Sequence, residues 1–213
     1  MFKLYTIFDA ISLLIIYRLH FYPQWKNCKY TFFVKTVFYI YICFLLYFTL
    51  LPVVFPTPFS GTNFSFNNLN LILFKDIIQG NGQAVKEFGL NILMMVPFGI
   101  LLPFCTQKKC IPTLCYTFLL STCIEVLQLF SIRGLAVCDI TDLISNTLGG
   151  LIGYILFKIF SQKAQLVITH FFPKNNENTY KKNIRFSKLE VLIYIIIFIQ
   201  LFFRSIIINF IAL

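Results

Sequence analysis

The stretch Asp139-Ile-Thr-Asp142-Leu-Ile-Ser-Asn146-Thr-Leu-Gly149-Gly150-Leu-Ile-Gly153-Tyr-Ile-Leu-Phe-Lys158-Ile-Phe160 decides the fold. From Leu143 to Phe160 it is dominated by apolar and small residues, and as a helix it would run about 27 Å, close to the ~30 Å hydrocarbon slab of a bilayer. Its polar residues are ordered. Asp142, Asn146, Gly149 or Gly150, and Gly153 recur at helical spacing, so they share one face that is polar at one end and small below it. Such a face lets a neighbouring helix come close.

Five more apolar runs surround this one: Phe2 to Leu19, Val37 to Phe55, Phe88 to Phe104, Ile111 to Phe130 and Leu189 to Leu213. With 58% hydrophobic residues and 12% charged in 213 residues, the chain has too little polar surface for a soluble globule and no room for a large soluble domain. The expected fold is an all-α polytopic membrane bundle of about six helices, a single membrane domain over residues 1–213. The first run carries Lys3 and Asp9 and lacks a small-residue cleavage site, so it reads as a span and not as a removable signal peptide.

Orientation follows from counting Lys and Arg in alternate connections. Thirteen fall on one side: Arg18, Lys26, Lys29 and Lys35, then Lys108 and Lys109, then Lys158, Lys163, Lys174, Lys181, Lys182, Arg185 and Lys188. Four fall on the other: Lys3, Lys75, Lys86 and Arg133. This imbalance predicts both termini outside and the basic loops in the cytoplasm. The net charge of +10 is spread between apolar runs, which reads as a topology signal and argues against nucleic acid as a partner. The bilayer itself is the partner the composition names. Residues 162–188 read as a basic cytoplasmic linker touching lipid headgroups, and Leu69 to Ile78, too short to span, as an interfacial or re-entrant segment in the outer loop. The seven cysteines show neither zinc-ligand spacing nor a disulfide framework.

Ionisable groups at hydrocarbon depth cost about 2.5 to 3.5 kcal/mol, so the few present are informative. Ser121, Glu125 and Gln128 share one face of the fourth helix. Asn91 opens the third, which Pro97 should kink. By topology Asn91, Glu125, Gln128, Arg133, Asp139, Asp142 and Asn146 all fall near the outer side, and one shared polar pocket accounts for them together. Glu125 and Asp142 are the candidate catalytic pair, because two carboxyls in a low-dielectric pocket can act as acid and base or hold a divalent cation. Asn91, Gln128, Arg133, Asp139 and Asn146 are candidate binding residues. Competing readings stand beside these: Asp139 and Asp142 as helix caps, Glu125 in a buried ion pair with Arg133 or Arg204, and the glycines as packing. The pattern names no cofactor and leaves any metal open. It disfavours a transporter, for want of internal repeats and of charge in the inner half.

Five segments also resemble the successive motifs of the VanZ-like family of bacterial membrane proteins: Thr49 to Pro52, Asn70 to Lys75, Asn91 to Pro103, Glu125 to Gln128 and Asp139 to Gly149, in order within about residues 37–160. The chain departs from that pattern at Leu73, where the family usually has proline, and at Thr141, where it often has a further acid. The resemblance implies a cell-envelope protein akin to one associated with teicoplanin resistance, acting at the cell surface on or against a glycopeptide-related ligand or an envelope precursor. The residues fit a non-catalytic protein that masks or alters the surface and an enzyme acting on a lipid headgroup or lipid-linked precursor equally well.

Overall fold

A computed structural model describes residues 2–50, 69–70, 72–129, 138–172 and 186–211. It is almost entirely helical. Helix α1 (Phe2–Ile16) passes through a π-helical turn (Tyr17–Phe21) into the short α2 (Tyr22–Trp25), followed by α3 (Lys29–Leu50). A one-turn α4 (Lys75–Ile78) precedes α5 (Gly82–Thr106), α6 (Cys110–Leu129), α7 (Ile140–Phe171) and α8 (Lys188–Ile211). Among the described residues, three helical stretches are long and apolar enough to cross a membrane: Lys29–Thr49, Gly82–Thr106 and Ile140–Phe171, while Cys110–Val126 is a shorter apolar helix.

Local chemistry sets the ends of these helices. Asn81 caps α5 by accepting from the Gln83 N–H at 3.0 Å, and Asp139 caps α7 by accepting from the Thr141 N–H at 2.7 Å. Ser187 and Glu190 form a reciprocal capping box on α8, with Ser187 N to Glu190 Oε2 at 2.6 Å and Glu190 N to Ser187 Oγ at 3.1 Å. Pro97 and Pro103 lie inside α5, which continues through both. The Tyr41 hydroxyl donates to the Met94 carbonyl at 2.8 Å in the turn before Pro97, tying α3 to α5 where the proline ring disturbs the backbone.

The core of the family-like stretch is a three-helix sandwich. A Cβ added at Gly149 would strike the Ile92 carbonyl, one at Gly153 the Val96 carbonyl, and one at Gly99 the Gly150 carbonyl. The contacts of Ile92 with Gly149 and of Val96 with Gly153 advance together, so α5 and α7 run parallel with their backbones nearly touching. Helix α6 runs antiparallel to α7. A Cβ at Gly150 would meet Thr117, Asn146 bonds Ser121, and Asp139 bonds Glu125. The glycine stripe therefore packs against α5 first and reaches α6 through Gly150.

Several expectations change. Helix α3 begins at Lys29, eight residues before the apolar run, so Lys35 is not a loop charge: it lies in the second turn of α3, 1% exposed, in an ion pair with Glu190 of α8 at 2.8 Å. Helix α7 continues to Phe171, where the Phe172 ring stacks on Phe33 at 4.5 Å, so the first ten residues of the basic segment 162–188 are helical. Within Leu69 to Ile78, Leu69–Asn70 pairs in parallel with Cys138–Asp139, and the chain then turns into α4.

Candidate functional site

The seam between α6 and α7 is laid out by spacing. Thr113, Thr117, Ser121 and Glu125 recur every four residues along α6 and are all buried, Glu125 at 4% exposure. Opposite them the antiparallel α7 presents Gly150, Asn146 and Asp142. Thr117 faces Gly150, Ser121 accepts from Asn146 Nδ2 at 2.9 Å, and the next step of the same register sets Glu125 against Asp142. The threonines satisfy their own hydroxyls by donating to the carbonyl four residues back, Thr113 to Lys109 at 2.9 Å and Thr117 to Thr113 at 3.0 Å. The stripe thus turns from self-satisfied hydroxyls to a carboxylate as it nears the α7 start.

At that end the segments meet. Asn91 Nδ2 of α5 donates to Asp142 Oδ1 at 2.8 Å, which fixes one carboxylate oxygen. The Asp139 N–H donates to Glu125 Oε2 at 3.3 Å while its side chain caps α7. Asn70 pairs in register with Asp139, and the Phe74 N–H donates to Thr141 Oγ1 at 3.1 Å. Phe74 adopts a left-handed φ of 57°, a strained conformation for a bulky residue, and its ring meets Phe88 at 5.7 Å. Thr141, where the related pattern often has an acid, is here the acceptor that holds the loop leading into α4.

Around these residues lies an open cleft of about 170 Å³ whose lining includes Phe74, Asp76, Glu87, Asp139 and Asp142. Asn91 with Asp142, Glu125 with Asp139, and Asn146 with Ser121 form three hydrogen-bonded pairs along this end of the seam. Gln128 lies in the last turn of α6, but its side chain, like that of Arg204, falls outside the described residues, and Arg133 falls outside them altogether. Asp139 is visibly a cap. Among the described residues neither Glu125 nor Asp142 has a Lys or Arg partner; the ion pair found there is Lys35 with Glu190. No group of three His, Cys, Asp or Glu among them is placed to hold a metal ion. Asp76 and Glu87 went unread in the sequence because they sit in the single turn of α4 and near the start of α5, where an acid is ordinary; only their convergence in space singles them out.

The chain matches the VanZ/LLP1 family model over residues 38–161, more than half its length, and belongs to that family. It is 31% identical over 99 residues to Protein VanZ of Enterococcus faecium, an alignment covering 46% of this chain and 57% of that protein. The match therefore spans little more than half of the relative. No solved structure matches.

Proposed function

We propose that this member of the VanZ/LLP1 family is a multi-pass protein of the bacterial cell membrane whose α6–α7 seam binds an envelope component at the outer face. By altering or masking the cell surface it lowers susceptibility to glycopeptide antibiotics of the teicoplanin type. The observation that carries the binding reading is the convergence of Asn91, Glu125, Asp142 and Asn146, from three different helices, on one seam beneath an acidic cleft. A chain that needed these groups only for packing would do better with apolar ones, since polar groups in a span are costly. The resistance part rests on kinship alone.

This reading uses six spans with both termini outside, which puts the cleft at the outer surface. A reporter active only in the cytoplasm should work when fused after Lys109 or Lys174 and fail when fused near Gly80. The reverse pattern removes the outer-face reading.

A second reading is favoured by the register that sets Glu125 opposite Asp142, with Asn91 orienting the latter. It makes the chain an enzyme on a lipid headgroup or lipid-linked precursor, one carboxyl giving a proton and the other taking one. Lipid and precursor profiling of cells with and without the protein separates the two. A chemical species that changes, and reverts in Glu125→Gln, supports the enzyme; unchanged species with altered glycopeptide susceptibility support the surface protein. If neither profile nor susceptibility responds, both readings fall.

A further inference from the structure

Asn146 is 2% exposed and its Nδ2 donates to Ser121, yet its Oδ1 is buried without a hydrogen-bond partner. Because that oxygen belongs to the amide whose nitrogen touches α6, it sits in the α6–α7 seam, one turn inward of Glu125 and Asp142. A buried acceptor left alone is rare in a native fold and calls for a donor. The next layer outward offers further acceptors: Glu125, which takes the Asp139 N–H, and Asp142, which takes one bond from Asn91. Five of the eight carboxylates in a chain of net charge +10 gather at this end: Asp76, Glu87, Glu125, Asp139 and Asp142.

The unspent capacity of the seam is thus for accepting. A metal ion fits poorly, since no three ligating side chains among the described residues are grouped for one. An ammonium group fits better, because its three N–H donors can be shared between two carboxylates and an amide oxygen. The Phe74 ring on the cleft wall suits the stem of an alkylammonium.

We propose that the seam is a seat for a primary ammonium group, held by Glu125, Asp142 and Asn146 Oδ1 and reached through the acidic cleft. This deepens the binding reading above and rests on it. The ammonium comes from a lipid headgroup or from a water-soluble amine.

The test uses the full chain in phosphatidylcholine nanodiscs, titrated with n-hexylammonium, hexanol and Ca²⁺. Saturable hexylammonium binding is expected, with none for hexanol. Asn146→Ala and the nearly isosteric Asp142→Asn should each weaken it at least tenfold. Replacing half the lipid with phosphatidylethanolamine should raise the apparent Kd severalfold if the source is a headgroup and leave it unchanged if the source is soluble; the proposal stands on either. Equal binding of hexanol, no effect of the two variants, or displacement of hexylammonium by stoichiometric Ca²⁺ overturns it. If the seat fails while Glu125→Gln still abolishes the cellular effect, the site stands and only the ligand class falls. If hexylammonium binds as expected while Glu125→Gln leaves susceptibility and profiles untouched, the seat stands and the functional reading falls.

Discussion

Helix α5 carries two polar clusters, one at its third turn and one in its last. Asn91 orients Asp142 at one; fourteen residues and about 21 Å further on, Cys105 lies against Val34, next to the Lys35–Glu190 pair. The two clusters are built on opposite terms. Glu190 is saturated: it takes Lys35 Nζ on both oxygens, at 2.8 and 3.1 Å, the Trp25 indole N–H, and the Ser187 N–H of its own cap. Lys35 also lies over the Trp25 and Phe186 rings, at 5.6 and 5.2 Å from their centroids. The α6–α7 seam is unsaturated, with an orphaned amide oxygen beside two carboxylates. The matched region 38–161 holds the unsaturated cluster, while Trp25, Lys35 and Glu190 lie outside it. The contrast lies in the carboxylates, since the Tyr194 hydroxyl one turn from Glu190 is also left without a partner: a saturated carboxylate serves stability, and an open one keeps capacity for something else.

This contrast breaks first, if it breaks, at the ion pair. Lys35→Met or Glu190→Gln alone leaves a charge buried without its partner and should cost about 3 to 5 kcal/mol. Thermal melting in neutral detergent and membrane abundance should both fall. Lys35→Met combined with Glu190→Met should recover most of the loss. A single variant that melts like the parent would show the pair to be ornamental.

Next in size is Gly153→Leu, whose side chain has to enter the space of the Val96 carbonyl and the Gly99 Cα. Forced separation of α5 and α7 should cost about 1 to 3 kcal/mol, read as lower abundance. Asp139→Ala removes the α7 cap and should cost about 1 kcal/mol, whereas Asp139→Asn should be nearly neutral because asparagine caps as well. Equal melting of the two would mean that the cap carries no weight in stability.

The smallest stability effect belongs to Glu125→Gln and Asp142→Asn. Each keeps an acceptor for its partner, so melting should move by no more than about 0.5 kcal/mol, while the cellular phenotype should be lost. The double variant should be no worse than either single one, as groups acting together are non-additive. If instead these variants melt early and Lys35→Met does not, the roles of the two clusters are exchanged.

What the sequence discloses follows the same division. The α7 stripe and the Ser121–Glu125 face are periodic, and periodicity survives folding, so their meeting along one seam is readable from spacing. Lys35 and Glu190 are 155 residues apart. Each looks ordinary alone, the first as a loop charge and the second as the last letter of a Ser187-Lys-Leu-Glu190 capping signature; nothing local says that they touch. The glycines show a close approach but not which helix makes it, because small residues carry no address. Thr113 and Thr117 extend the α6 stripe at the same four-residue step, yet threonine is tolerated in a membrane helix by bonding its own backbone, and this hides it among neutral residues.

The distance between Lys35 and Glu190 along the chain sets a clock. Synthesis at about 5 to 20 residues per second puts roughly 8 to 30 s between the emergence of the lysine and that of its partner. Throughout that interval Lys35 is a cation whose buried site is incomplete, and the favourable place for it is beside water or lipid headgroups. The first two turns of helix α3 therefore cannot settle before α8 has seated and brought Glu190 to Lys35.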